Sequence, residues 1–132
     1  KRGTDLAILT IGHIGNYALD AIELLSADGV DAALYDMRFV KPLDAELLTE
    51  VFENFERVIT VEDGCIMGGM GSAVLEWMVD HGYSSKVTRL GIPDEFIEHG
   101  TQDELYAECN YDAESIRKSA LELMGEKILN EL

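Results

Sequence analysis

Basic side chains are scarce in this sequence. Ten Lys plus Arg stand against 26 Asp plus Glu in 132 residues, a formal net charge of −16. Phosphate backbones call for clustered Lys and Arg, so this balance argues against a nucleic-acid surface. It equally disfavours docking on an anionic membrane. The acidity itself reads as solubility. Long apolar runs are missing too, and none approaches the roughly 18–20 residues that a bilayer span requires. The start, KRGTDLAILTIG, is basic and then apolar, as a signal peptide is. Its apolar part is short, is broken by Thr and Gly, and has no small-residue cleavage site, so it reads as a first β-strand. With only two cysteines, Cys65 and Cys109, and no CxxC spacing, a disulfide framework is excluded. Reduced thiols in a cytoplasmic protein are the expectation. There are two prolines, no low-complexity tract and no linker. The absence of an initiating Met, with a strand opening the chain, leads us to expect a fragment of something longer.

What is present is an alternation of strand and helix patterns. Asp5 to Ile11 is β-prone and ends at Gly12. From Ile14 the apolar residues fall at helical spacing through Tyr17, Ala18, Ala21, Ile22 and Leu25, and Gly29 closes that helix as a residue tolerant of positive φ. A second strand is expected over Asp31 to Met37. After Pro42, Asp44 is placed to cap a helix with Leu47, Leu48, Val51, Phe52 and Phe55 inward. A third strand over Arg57 to Val61 runs into the loop GCIMGGMGS. The helix after it begins at Gly71 or Ser72, with Val74, Leu75, Met78 and Val79 facing inward. Val87 to Ile92 makes a fourth strand. TQDE, Thr101 to Glu104, has the form of a capping box. Asp112 caps a last helix that buries Ile116, Ala120, Leu123 and Met124, with Ile128 a further candidate. This rhythm predicts an α/β fold, a largely parallel sheet with helices on both faces, in a single domain over residues 1–132.

In such sheets ligands gather beyond the carboxyl ends of the strands. Three segments end there. TIGHIGN matches GxGxxG at two glycines of three, and Asp36 lies where a ribose-binding acid would fall, which makes a free-standing nucleotide-binding module a rival reading. The missing first glycine favours a plain βα turn, with His13 given no role. GGMGS, residues 68–72, puts backbone N–H groups before a helix and can in principle hold an anion. It is not a Walker loop, and close passage of backbone is the preferred explanation of its glycines. Glu62 and Asp63 are paired acids at a strand end. Without a nearby His at ligand spacing they make a poor metal site, and capping or loop hydrogen bonding is preferred. Asp63-Gly64 is not the GDG of a thiamine-diphosphate and magnesium site, because Glu62 occupies the first glycine and no Asn pair follows. His81 and His99 have no nucleophile partner, and neither cysteine has a case for catalysis. The third segment is DMRFVKPLD, residues 36–44, where Arg38 and Lys41 sit together in an otherwise acidic chain.

The order DMRFVKPLD, ITVEDGCIMGGMGSAVLE, LGIPDEFIEHGTQDEL and YDAESI resembles the C-terminal domain of 1-deoxy-D-xylulose-5-phosphate synthases, from Ala7 to about Met124. The broader V-E-[ED]-x-x-x-x-G-G-x-G-S pattern is shared with transketolases and the β-subunits of 2-oxo-acid dehydrogenases, which remain alternatives. The resemblance implies a three-layer α/β/α sandwich on a mostly parallel five-stranded sheet. It also implies a thiamine-diphosphate-dependent condensation of pyruvate with D-glyceraldehyde 3-phosphate. The cofactor and Mg2+ would be held by two other domains, in a homodimer, and this chain alone would bind neither and be inactive. The family arginine that holds the acceptor's phosphate falls on Arg38. A guanidinium suits that role, being always charged and offering forked N–H donors. Asp36 is then placed to orient it, Phe39 to pack beneath it, and Lys41 to serve as a rim charge or in a salt bridge rather than as a second phosphate ligand. The sequence departs from common members at His13 and at Asp63-Gly64, so contacts from those loops are left unassigned.

Overall fold

Four short runs rich in aliphatic residues form a sheet. They are β1 (Leu6–Ile11), β2 (Ala32–Asp36), β3 (Arg57–Cys65) and β4 (Lys86–Ile92), in the order β2-β1-β3-β4. In this computed structural model residues 3–11, 15–37, 43–65, 69–92 and 112–131 are described. All three strand pairings are parallel. Strands covered on both faces lose the polar alternation of a half-exposed strand, and β1 accordingly reads LAILTI with five buried positions of six.

Helices α1 (Gly15–Ala27), α2 (Ala45–Asn54), α3 (Met70–Asp80) and α4 (Ala113–Glu131) cover the sheet. One face carries α1 and α4, whose Ala18, Ala21, Ile22, Leu25, Ile116, Ala120 and Met124 pack with Leu6, Ile8, Ile59 and Val61. The other carries α2 and α3, whose Leu48, Val51, Phe52, Met70, Val74 and Met78 pack with Ala7, Leu9, Ala33 and Val58. The expected three-layer α/β arrangement is therefore present. Four strands, all parallel, stand among the described residues where five were expected.

Local chemistry sets the element ends much as the sequence suggests. The Asp44 carboxylate accepts the Leu47 N–H at 3.1 Å, and the Asp112 carboxylate accepts that of Ser115 at 2.9 Å. Gly29 and Gly82 take φ of 82° and 80°, where a Cβ would be strained. The end of α1 is tied to α4 by Arg117, which donates to both Asp28 carboxylate oxygens at 2.7 and 2.9 Å and holds that carboxyl below its usual range.

Two boundaries and one burial differ from expectation. Helix α3 starts at Met70 rather than at Gly71 or Ser72, because its cap comes from outside the local sequence, as described below. Strand β3 continues to Cys65 rather than stopping at Val61. It does so through an irregularity, since Val61 pairs with Leu90 but Cys65 with Ile92, so four steps on β3 span two on β4. Val79, expected inward, is 64% exposed. The buried stripe of α3 runs through Met70, Gly71, Val74 and Met78, and Val79 lies off it in the last turn. The capping box at Thr101 to Glu104 and Ile128's side chain lie outside what is described.

Candidate functional site

The chain passes from β1 to β2 on one side, then returns across β1 to β3. This reversal opens a topological switch point between β1 and β3, and ligands of open α/β sheets bind beyond the strand carboxyl ends at such a point. The residues at that edge are Thr10 and Ile11 of β1, Asp36 and Met37 at the end of β2, and Glu62 of β3 with the start of α3. A groove of about 610 Å3 also opens at the opposite edge, between Phe52–Arg57 and Gly82–Lys86. It lies at the strand amino ends, so topology rather than groove volume locates the candidate site.

Glu62 is the least expected feature of the edge. It is 4% exposed, yet it is an acid. Its Oε2 accepts the Met70 N–H at 2.6 Å and its Oε1 accepts the Gly71 N–H at 3.2 Å. Gly69, the N-cap of α3, has no side chain to offer. The helix's unsatisfied amides and positive dipole end are met by a carboxylate from the preceding strand. Burial pushes the Glu62 carboxyl above its usual range, opposed by the Gly71 and Met70 amides and by the Arg89 charge. Arg89, half-buried on β4, donates from Nη1 to Ser72 Oγ at 2.9 Å. The capping preferred for this acid pair is thus seen at Glu62. The anion that the glycine loop can hold at the N-terminus of α3 is the chain's own carboxylate.

Gly71, the second residue of α3, has no room for a side chain. A Cβ there would lie 2.6 Å from Thr60 Oγ1 and 3.2 Å from Arg89 Cγ. Thr60 is fully buried on β3, and its hydroxyl has no partner among the described residues. We expect Gly71→Ala to destabilise the fold by ~1–3 kcal/mol through overpacking, although Ala is the better helix former by about 1 kcal/mol. Urea unfolding of Gly71→Ala, Thr60→Ala and the pair should show the double variant less destabilised than the sum, because Thr60→Ala removes the obstructing oxygen. Strict additivity would rule the contact out.

The sequence-predicted residues divide in two. Asp36 is exposed at the end of β2, with Thr10 as its Cα partner on β1. Met37 extends that pairing, donating its N–H to Thr10 O at 2.7 Å. Thr10 itself is 2% exposed and lies within β1, not in a turn, which weighs against the nucleotide-binding reading. Asp63 lies within β3. Arg38 follows Met37 directly. Arg38, Phe39, Lys41, His13, His99 and Cys109 lie outside the described residues. Exposed His81 stacks on Trp77 with ring centroids 3.9 Å apart, at the end of α3 away from this edge. Arg89 was not singled out by sequence reasoning, and its one signal was a cation within the fourth expected strand of an acidic chain. Among the described residues no group of three His, Cys, Asp or Glu can hold a metal ion, and no helix is long and apolar enough to cross a membrane.

The family described as transketolase, C-terminal domain matches this chain over residues 1–116. The chain belongs to that family. Among relatives, this transketolase C-terminal domain is 55% identical over 123 residues to 1-deoxy-D-xylulose-5-phosphate synthase of Cytophaga hutchinsonii, covering 93% of the chain and 19% of the relative. It is 54% identical over 119 residues to the synthase of Bacteroides fragilis, covering 89% and 18%. The chain therefore spans about a fifth of the length of these relatives. Among solved structures it resembles a split-gene transketolase in an inactive β4 tetramer, with a TM-score of 0.87 and 32% identity over 95% of this chain and 41% of that one. A transketolase variant from Pichia stipitis shares the fold, with a TM-score of 0.68 at 18% identity over 92% of this chain and 16% of that one.

Proposed function

We propose that this chain, as one domain over residues 1–132, is the C-terminal domain of a 1-deoxy-D-xylulose-5-phosphate synthase. The observation that carries the reading is the 55% identity across 93% of the chain to an enzyme of that name. The whole enzyme would condense pyruvate with D-glyceraldehyde 3-phosphate to give 1-deoxy-D-xylulose 5-phosphate and CO2. Thiamine diphosphate supplies the carbanion chemistry when bound, and it and Mg2+ belong to the remaining domains. This chain's own contribution is at the strand carboxyl edge. Arg38, which follows Met37 directly in sequence, binds the aldehyde's phosphate. The amide-rich start of α3 does not compete for that phosphate, because Glu62 already fills it. We place the enzyme in the cytoplasm as a homodimer.

The similarity to a split-gene transketolase supports a second reading, in which the donor is a ketose phosphate rather than pyruvate. The two are separated by assaying the full-length enzyme with D-glyceraldehyde 3-phosphate and either donor, with thiamine diphosphate and Mg2+ added. Release of CO2 and formation of the deoxyketose phosphate from pyruvate is the expected result. Transfer from a ketose phosphate without turnover of pyruvate overturns it.

A further inference from the structure

Two buried amides at the start of α3 depend on a single side chain. The N–H groups of Met70 and Gly71 end on Glu62 Oε2 and Oε1. Met70 is 1% exposed and Gly71 is buried, so without that carboxylate each amide would bear the full cost of a lost partner away from water. The polar groups around them also favour an anion. Arg89 brings a positive charge that acts on Glu62, while its Nη1 donates to Ser72 Oγ. The Thr60 hydroxyl is fully buried, has no partner among the described residues, and lies 2.6 Å from where a Gly71 Cβ would stand.

This turn is built independently of Glu62. The Ala73 N–H donates to Gly69 O at 3.1 Å and closes it. Met70, Gly71, Val74 and Met78 are buried along the inner stripe of the helix and hold it in place. The amides therefore stay aimed at one point, with the positive end of the helix dipole behind them.

We propose that the first turn of α3 is a preformed site for a small carboxylate, which Glu62 occupies as a tethered ligand and so keeps closed to free anions. The inference is independent of the role given to Arg38. In a synthase whose substrates, pyruvate and a phosphate ester, are both anions, an open site here would hold them away from the cofactor.

Glu62→Ala removes the heavy atoms of one acetate, so acetate is the probe. Hydrogen exchange of the first-turn amides of α3 is followed by mass spectrometry in the full-length enzyme, with sodium acetate, acetamide or sodium chloride at equal concentration. In Glu62→Ala these amides should exchange about fivefold faster than in wild type, the usual worth of a helix cap. Acetate should return them towards the wild-type rate. Acetamide, which has the same shape without the charge, and chloride should not. Wild type should respond to none of the three, because its site is filled. The proposal is overturned if Glu62→Ala exchanges at the wild-type rate, if acetate leaves its exchange unchanged, or if acetamide or chloride slows it equally. A wild-type enzyme that responds to acetate as the variant does overturns it too. If Glu62→Ala does not fold, Glu62→Gln decides. That side chain fills the site but offers one carbonyl oxygen to two amides, so one amide should exchange fast, and wild-type protection of both overturns the proposal.

Discussion

Arg38→Ala in the full-length enzyme should lower kcat/KM for D-glyceraldehyde 3-phosphate by ~2–5 kcal/mol, the cost of truncating one partner of a desolvated charge pair. At about 1.36 kcal/mol per tenfold, that is roughly 30-fold to a few thousand-fold. The loss should be confined to the phosphorylated acceptor, with kinetics toward unphosphorylated D-glyceraldehyde and the KM for pyruvate left near wild type. Arg38→Lys should recover only part, since an ammonium keeps the charge but not the forked pair of donors. The chain's own charge sharpens the argument. With a net charge of −16, a phosphate approaching this surface is repelled unless a cation stands at the point of entry. Steady-state kinetics on both aldehydes checks the prediction, and equal losses on the two would remove the phosphate role from Arg38.

Ile8→Ala should be the most damaging of the simple core truncations, at ~2–5 kcal/mol by urea unfolding. Ile8 is fully buried on β1, which has β2 on one side and β3 on the other. Its face packs against α1 and α4, where several partners are alanines with no side-chain length to refill a void. A domain holds only about 5–15 kcal/mol in total, so this one change consumes a large share of it. Val79→Ala makes the contrast. That residue looked equally inward by apolar character, but at 64% exposure it should change stability by no more than about 0.5 kcal/mol. A large loss at Val79 and a small one at Ile8 would mean that the two faces of α3 and the centre of the sheet have been misassigned.

Most of the fold was legible because local rules and tertiary packing agree here. The spacing of Ala18, Ala21, Ile22 and Leu25 is that of a helix, and all four are buried against the sheet. Asp44 and Asp112 cap where a carboxylate beside a free amide should. Val79 misled because at the last turn of α3 apolar character no longer tells which side of the helix a residue occupies, and Met78 had taken the inward place. The start of α3 misled for a different reason. Its cap is not a neighbour in sequence but a strand residue eight positions back, and local capping patterns look only three residues ahead.

The amino-acid sequence by itself determined the α/β alternation, the absence of a membrane-spanning run, the family pattern and the candidacy of Arg38. Those follow from residue type and spacing along the chain. Only the tertiary structure decided that β1 and β3 flank the switch point and that the amides of α3 are closed by a buried Glu62. The physical reason is that strand order and the pairing of a carboxylate with a helix end are set by which surfaces exclude water together. No periodicity along one segment carries that information.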